Sequence, residues 1–159
     1  MKTLAKKSAS PSAAKQVAGF IAKFDPAIAK LTRACRAEIR KRYPSANELV
    51  YDNYNALAIG YSPTQKTSDC VFSLAIYARG VSLYFMYGRS LTDPNKLLQG
   101  SGNQGAFIRL EDVKTLDDSQ VKDLMERAVK RQKPSFAVKG PGQTVVKSIS
   151  EKQRPRRPE

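Results

Sequence analysis

Three stretches of this sequence carry side chains whose types and spacing suit ligand binding or catalysis. The first is Tyr51-Asp52-Asn53-Tyr54-Asn55, where aromatic rings alternate with amides and a carboxylate inside an otherwise apolar segment. Asn and Asp form strands poorly, so their side chains need hydrogen-bond partners there. The partner is either a ligand or the local backbone at a bulge or strand break, and the sequence leaves both interpretations open.

The second stretch is a glycine loop, Gly100-Ser101-Gly102-Asn103-Gln104-Gly105, which has the literal spacing G-x-G-x-x-G. The dinucleotide-binding fingerprint requires that such a loop open a helix after a strand. Here the loop is followed by residues 106–110, whose pattern predicts a strand, so we reject the Rossmann interpretation. Two interpretations remain: a loop that offers backbone amides to an anion, and a simple connection.

The third stretch is acidic and contains Glu111, Asp112, Asp117 and Asp118. A hard cation needs about six oxygen ligands, and a helix start already explains Asp117 as an N-cap, with Gln120 as its capping-box partner. We therefore predict no metal and no cofactor. These four residues are the candidates only under an alternative in which the protein binds iron.

Composition excludes several classes of enzyme. The chain has no histidine, which removes the commonest general base and the commonest metal ligand together. The two cysteines do not make a disulfide framework, and Cys35 falls on the apolar stripe of a predicted helix, which indicates a buried thiol. An enzyme would have to use Asp, Glu, Tyr or Lys, for example Asp52 or Asp93 beside Tyr51. We predict no catalytic residue.

The net charge of +14 is concentrated at the two ends of the chain. Residues 1–23 hold five lysines and no acid, and residues 119–159 hold eleven basic and four acidic residues. Such ends are typical of a protein that binds a polyanion, and also of a merely soluble one. The nucleic-acid hypothesis combines a basic helix face with two hairpin tyrosines that can stack on bases, namely Arg33, Arg36, Arg40, Lys41, Tyr77 and Tyr84.

A β-hairpin is the central predicted element. Residues 71–78 and 81–87 alternate so that one face carries large apolar side chains. With Arg79 and Gly80 as the turn, position 76 pairs with 83, 74 with 85 and 72 with 87. Apolar periodicity predicts helices from Ala13 to Phe24, from Pro26 to Tyr43 and from Asp117 to Gln132, and strands at 48–61, 106–110 and 144–149.

These elements predict an α+β fold: a single domain in which two N-terminal helices and one C-terminal helix pack on one face of an antiparallel sheet. We assign residues 1–12 to a disordered basic tail, 13–150 to the domain and 151–159 to a basic C-terminal tail. The sequence has no secretory signal and no apolar run long enough to span a bilayer, so we expect a cytoplasmic protein without a membrane partner.

The order of several short motifs resembles the YdhG-like family, a bacterial domain family of unknown function. The motifs are Glu48-Leu49-Val50-Tyr51-Asp52 with Tyr54-Asn55-Ala56-Leu57, Leu83-Tyr84-Phe85, Leu91-x-Asp93-Pro94-x-x-Leu97-Leu98-x-Gly100-Ser101-Gly102-x-Gln104, Ile108-Arg109-Leu110, and Lys147-Ser148-Ile149-Ser150-x-Lys152-Gln153-Arg154-Pro155-Arg156-Arg157. The resemblance covers nearly all of residues 17–157 and implies a small α+β domain. One branch of the family is described as frataxin-like iron chaperones, which use an acidic first-helix ridge. The second helix here is basic instead, so the resemblance implies the fold without the iron.

The leading functional hypothesis is a non-enzymatic module that binds a small ligand or a protein partner. We expect its pocket where the polar strand and the glycine loop approach the hairpin, because aromatic surface with a few fixed polar groups is typical of small-ligand sites. The predicted lining is Tyr51, Asn53, Asn55, Asp93, Gln104 and Arg109. Nucleic-acid binding and iron chaperoning are the alternatives.

Overall fold

A computed structural model describes the backbone of residues 5–158 and the side chains of residues 12–158. It contains three α-helices and six strands in the described range. The helices are α1 (Ala5–Ala22), α2 (Pro26–Arg42) and α3 (Ser119–Arg131). The strands are β1 (Asn47–Asp52), β2 (Leu57–Ser62), β3 (Phe72–Tyr77), β4 (Gly80–Phe85), β5 (Ala106–Leu110) and β6 (Thr144–Ile149).

The strands form one sheet in the order β5-β4-β3-β2-β1-β6. Neighbours from β1 to β5 are antiparallel, and β6 joins the free side of β1 in parallel after the chain has passed through α3. The predicted α+β fold with two N-terminal helices and one C-terminal helix is confirmed, and the sheet is mixed because of this last strand. Hydrophobic periodicity predicts that β6 is a strand. The direction in which it pairs depends on the edge of the sheet at which the chain arrives after α3.

One face of the sheet is buried beneath the helices. Val17, Phe20, Ile21 and Phe24 come from the N-terminal segment, as predicted, and pack in one core with the stripe of α2 that includes Cys35 and Ile39. The strands contribute the alternate residues Val50, Leu57, Ile59, Tyr61, Phe72, Leu74, Ile76, Val81, Leu83, Phe85, Ile108 and Leu110. We call this the inner face and the opposite one the outer face.

The predicted hairpin register is wrong by two residues. Ile76 pairs with Val81, Leu74 with Leu83 and Phe72 with Phe85, so the turn is Ala78-Arg79 and Gly80 already belongs to β4. A shift of two residues leaves every side chain on its predicted face, so hydrophobic alternation cannot detect it. The parity itself is confirmed, because Leu74 and Phe85 are both buried in the same core.

Both ends of the chain differ from the predicted tails. Helix α1 begins at Ala5 and therefore includes part of segment 1–12, while residues 1–4 lie outside the described range. At the other end, the Arg156 side chain is buried, and Gln153 and Arg156 donate hydrogen bonds to the loop after β1 or to Asp52. The segment 151–158 is thus anchored to the domain through Gln153 and Arg156. No helix in the described range is both long enough and apolar enough to cross a membrane.

Candidate functional site

The outer face of the sheet has a floor of small residues. In register across five strands, Tyr51 lies beside Ala58, Ala58 beside Ala75, Ala75 beside Ser82 and Ser82 beside Arg109. The next row contains Gly60, Ser73, Tyr84 and Phe107 as neighbours. Exposed sheet faces usually carry β-branched and aromatic side chains. Here the small residues leave the centre of the outer face low and accessible.

Tyrosines stand around this floor and form a cavity of about 630 Å³. Tyr51, Tyr54, Tyr77 and Tyr84 supply the aromatic walls, and the loop between β1 and β2 adds two exposed amides. The full lining is Tyr51, Asn53, Tyr54, Asn55, Ala56, Ala58, Thr67, Cys70, Ser73, Ala75, Tyr77, Tyr84, Met86 and Ser150. We call this space the tyrosine cavity.

Contacts with three other segments of the chain position three of the four rings. The Tyr51 hydroxyl is hydrogen-bonded to the Thr67 hydroxyl. The ring of Tyr84 lies over Gly105, where any side chain would collide with it, so the last glycine of the glycine loop has a packing role. The guanidinium of Arg154 lies 5.6 Å from the centroid of the Tyr54 ring, at cation–π distance. Three of the four rings are therefore positioned by residues that are distant from them in the sequence.

The described lining of the tyrosine cavity is uncharged. Within the described part of the chain, no Asp, Glu, Lys or Arg side chain lines it. Cys70 does line it, but burial, together with the charge of Asp69, raises the pKa of this thiol to about 11. The thiol is therefore protonated at neutral pH and is a weak nucleophile. The aromatic rings, hydroxyls and amides of the lining can pack against a ligand and form hydrogen bonds with it.

A second groove of about 360 Å³ adjoins the tyrosine cavity and shares Ala75, Tyr77 and Tyr84 with it. Its other lining residues are Arg79, Gly80, Ser82, Phe107 and Arg109. The guanidinium of Arg109 lies over Gly80, which has room for it because glycine has no side chain. Nη2 of Arg109 donates a hydrogen bond of 2.9 Å to the Arg79 carbonyl. We call this space the arginine groove.

The structure brings together part of the predicted site. Tyr51, Asn53 and Asn55 all line the tyrosine cavity, and Arg109 lines the adjoining arginine groove. The structure does not bring Asp93 and Gln104 to them, since these two residues line neither space. The Asp93 side chain caps a loop, and a sequence pattern does not distinguish a loop-capping side chain from a ligand-binding one.

Asp93 accepts hydrogen bonds from the backbone amides of Leu97 and Leu98 at 3.0 and 2.9 Å. The backbone carbonyl of Gln104 accepts from the Arg89 amide at 2.9 Å, and Gln104 lines a separate depression with Arg89 and Asn103. The glycine loop therefore approaches the hairpin through Gly105 rather than through its polar residues.

The residues that sequence reasoning missed are mostly small. Ala58, Ser73 and Ala75 make the floor of the tyrosine cavity, and Tyr54 and Thr67 belong to its walls. A signal was present in the sequence, since positions 73, 75 and 82 of the hairpin alternate with large apolar residues and are all Ala or Ser. Small residues in strands often mark the close approach of a ligand or another backbone.

The two halves of the nucleic-acid hypothesis lie on opposite faces of the sheet. Tyr77 and Tyr84 are on the outer face, whereas α2 covers the inner face. Two of the four α2 residues in this hypothesis are also engaged: Arg36 donates two hydrogen bonds of 2.9 Å to Glu48, and Nε of Arg40 lies 3.8 Å from the same carboxylate. Arg33 and Lys41 are exposed on that helix. The tyrosines and the basic helix do not form one binding surface.

The acidic residues proposed for a cation site do not form a cluster. Within the described residues there is no group of three or more His, Cys, Asp or Glu side chains placed to hold a metal ion. Asp117 pairs with Arg42 at 2.8 Å, and Asp118, not Asp117, is the N-cap of α3. Asp112 accepts from the Lys114 amide, and Glu111 lies 3.6 Å from Nε of Arg109.

Two buried carboxylates on the inner face are satisfied by the protein itself. Glu48 accepts from Arg36, from the Tyr61 hydroxyl at 2.9 Å and from the Thr144 hydroxyl at 2.7 Å. Burial alone would raise the pKa of Glu48, but the hydrogen bonds and charge of Arg36 and the Thr144 hydroxyl outweigh it, so this pKa lies below its ordinary value. Glu48 is thus a structural ion-pair residue.

Asp52 is the second buried carboxylate. Its oxygens accept from Nζ of Lys23 at 2.7 Å and from Nη2 of Arg156 at 2.8 Å. Burial opposes the charged form, but the hydrogen bonds from Lys23, Gln153 and Arg156 hold the pKa of Asp52 below its ordinary value. Asp52 therefore faces away from the tyrosine cavity and is not available as a general base there. It anchors the C-terminal segment.

The comparisons with known proteins give no relative. No family model, no curated protein and no solved structure matches this chain. Any functional proposal therefore depends on the chemistry and geometry of the outer face.

Proposed function

We propose that this protein is a non-enzymatic binding module whose ligand is a small, planar, ring-containing molecule held on the outer face of the sheet. The observation that supports this most strongly is the tyrosine cavity, in which four aromatic rings surround a floor of Ala and Ser. Aromatic side chains favour flat partners, which they contact by stacking or edge-to-face packing. A floor of short side chains lets a flat ligand approach the strands closely.

The polar groups of the cavity add specificity rather than reactivity. Each of Asn53 and Asn55 offers an amide that both donates and accepts hydrogen bonds, and Tyr51, Tyr77 and Tyr84 offer hydroxyls. The cavity volume of about 630 Å³ is in the range typical of small-molecule sites. The exposed amides and the uncharged described lining favour a neutral ring with polar edges.

The family remains a proposal as well. The order and spacing of the motifs along residues 17–157 support membership of the YdhG-like family, and an α+β domain is what that resemblance implies. Iron chaperoning has less support than ligand binding, because the acidic residues proposed for it are separately engaged in caps and ion pairs. A cytoplasmic location is also proposed, because the sequence has no apolar run long enough to span a bilayer.

The test is a thermal-shift screen with flat and non-flat compounds of similar size. Indole, quinoline and adenosine are the flat probes, and cyclohexanol and myo-inositol are the controls. A ligand at about 100 times its Kd stabilises the folded state by about 2.7 kcal/mol, which raises the Tm by several degrees for a chain of this size. We expect such a shift for at least one flat probe and for neither control.

A large side chain on the floor of the tyrosine cavity should abolish the rise in Tm that a flat probe causes. In Ala75→Phe a ring occupies the centre of the cavity, whereas Ala75→Ser changes its volume very little and serves as the matched control. We expect the serine variant to respond to the flat probe like the wild type and the phenylalanine variant not to respond. Equal shifts in both variants, or no response of the wild type to any flat probe, would contradict the proposed site.

A further inference from the structure

We infer that the ligand of the outer face is a mononucleotide, with its base in the tyrosine cavity and its phosphate in the arginine groove. This inference rests on the proposed function and narrows it to one chemical class. The tyrosine cavity is continuous with the arginine groove, so an aromatic space adjoins a cationic one. A flat neutral ligand does not require the cationic space.

The two spaces are joined on a single row of the sheet. Ala75 lies under both of them, and Arg109 is two strands away along the row Ala75, Ser82, Arg109. Adjacent strands are 4.7–4.9 Å apart, so the backbone positions of Ala75 and Arg109 are separated by about 10 Å. A ligand with a ring at one end and an anionic group at the other fits this arrangement.

The charges favour an anion in the arginine groove. Arg79 and Arg109 line it, and in the described range neither it nor the tyrosine cavity has an Asp or Glu in its lining. The carboxylate nearest to Arg109 is that of Glu111, 3.6 Å from Nε, and this side chain is 80% exposed. Such an exposed pair holds the guanidinium weakly, so an incoming phosphate can replace it.

Arg109 is also oriented for this task. Its hydrogen bond to the Arg79 carbonyl uses one of the five N–H donors of the guanidinium, and the flat group lies over Gly80. An arginine fork binds phosphate oxygens in a bidentate manner, which a lysine cannot do. Restraint by a backbone carbonyl lowers the entropic cost of fixing the long side chain when the anion binds.

The base has matching partners at the other end. Nucleobases stack on tyrosine rings, and their edges combine donors and acceptors, as do the amides of Asn53 and Asn55. A single nucleotide is favoured over a nucleic-acid strand because α2, which carries the basic face, lies on the other side of the sheet. A strand needs cations that follow its backbone across the surface.

The experiment compares AMP with adenosine, and UMP with uridine, by isothermal titration calorimetry on the full chain. A charge-assisted contact with a phosphate contributes about tenfold or more in affinity. We expect the nucleotide of at least one pair to bind at least about tenfold more tightly than its nucleoside. Arg109→Gln should greatly reduce this difference, leaving only what Arg79 contributes.

Two further variants sharpen the test. Gly80→Ala keeps the charge of Arg109 but forces its guanidinium away from the strand, and we expect it to reduce the nucleotide preference as well. Arg33→Gln removes one positive charge from the exposed face of α2 and serves as the charge-matched control. It should leave the nucleotide preference intact.

The results distinguish a failure of the mononucleotide inference from a failure of the proposed function. If nucleotide and nucleoside bind equally, or if Arg33→Gln weakens the nucleotide as much as Arg109→Gln does, the inference is overturned and the flat-ligand site stands. If an eight-nucleotide single strand binds far more tightly than either mononucleotide, the ligand is a nucleic-acid strand and the assignment to a mononucleotide fails. If no flat compound binds at all, the proposed function fails together with the inference.

Discussion

The two faces of this sheet treat polar side chains in opposite ways. On the inner face, Glu48 and Asp52 are almost completely buried. Glu48 accepts from Arg36 and two hydroxyls, and Asp52 accepts from Lys23 and Arg156. On the outer face, Asn53, Asn55 and Tyr77 are exposed around a cavity with an uncharged lining. A carboxylate with a shifted pKa is therefore not by itself a sufficient sign of a functional site. Here the carboxylates with shifted pKa values form structural ion pairs, and the candidate site consists of uncharged groups that include exposed amides.

The faces are connected at the loop between β1 and β2. Arg156 binds the Asp52 carboxylate on the inner side and also donates to the backbone carbonyl of Asn53 at 2.6 Å. Asn53 and Tyr54 follow directly and line the tyrosine cavity. The C-terminal segment therefore holds one wall of the outer site through contacts made beneath it.

The largest effect that we expect is from Arg156→Met. Removing one partner of a buried ion pair leaves an uncompensated charge and costs about 3–5 kcal/mol, although Lys23 remains near Asp52 and places the expected loss at the lower end. Urea unfolding measures the change. Arg154→Met is the control, because Arg154 is exposed and lies over Tyr54 rather than on a carboxylate, and it should cost less than about 1 kcal/mol. Equal losses in the two variants would show that the C-terminal segment is not anchored through Asp52.

Acid should destabilise the protein through the inner face. The ordinary pKa values are 4.5 for Glu48 and 3.8 for Asp52, and both pKa values are lowered in the folded state. The stability that they contribute is fully present above those ordinary values and is lost as the pH falls below them towards the folded values. Each group contributes a slope of up to about 1.4 kcal/mol per pH unit in that window. Unfolding free energies measured from pH 5 down to pH 3 should show this decline.

Glu48→Gln checks the origin of the slope. The variant lacks one of the two titrating groups, so its stability should fall less steeply below pH 4.5 than that of the wild type. Asp123→Asn is the control, since Asp123 forms an exposed pair with Arg127 at the surface of α3. If the unfolding free energy of Glu48→Gln falls with pH as steeply as that of the wild type, other carboxylates dominate the loss of stability in acid.

The smallest effect comes from deleting one hydroxyl on each face. Tyr61→Phe removes a donor from the buried Glu48 carboxylate and should cost about 1–3 kcal/mol. Tyr77→Phe makes the same chemical change on a side chain that is 48% exposed and should change the stability by less than about 0.5 kcal/mol. The difference between the two unfolding free energies measures the contrast between the faces. This difference would disappear if the Glu48 carboxylate did not need the hydrogen bond from Tyr61.

Much of the fold follows from local pattern, and much of the site does not. Alternation along 72–76 and 81–85 predicts the buried face correctly, and apolar spacing places Cys35 and Ile39 in the core. Tyr51, Asn53 and Asn55 stand out because polar residues in an apolar segment are unusual, and they share a cavity. Asp93 stands out for a similar reason but serves a loop, since local capping and ligand binding use the same side chains.

The sequence by itself determined which side chains lie on which face, because the two-residue period of a strand and the 3.6-residue period of a helix are local properties of the chain. Only the tertiary structure decided that Ala58, Ala75, Ser82 and Arg109 form one row, that β6 pairs in parallel with β1, and that Arg156 neutralises Asp52 across 104 positions of sequence. Strand order and long-range ion pairs depend on how the chain closes its loops, and that closure depends on all the packed elements together.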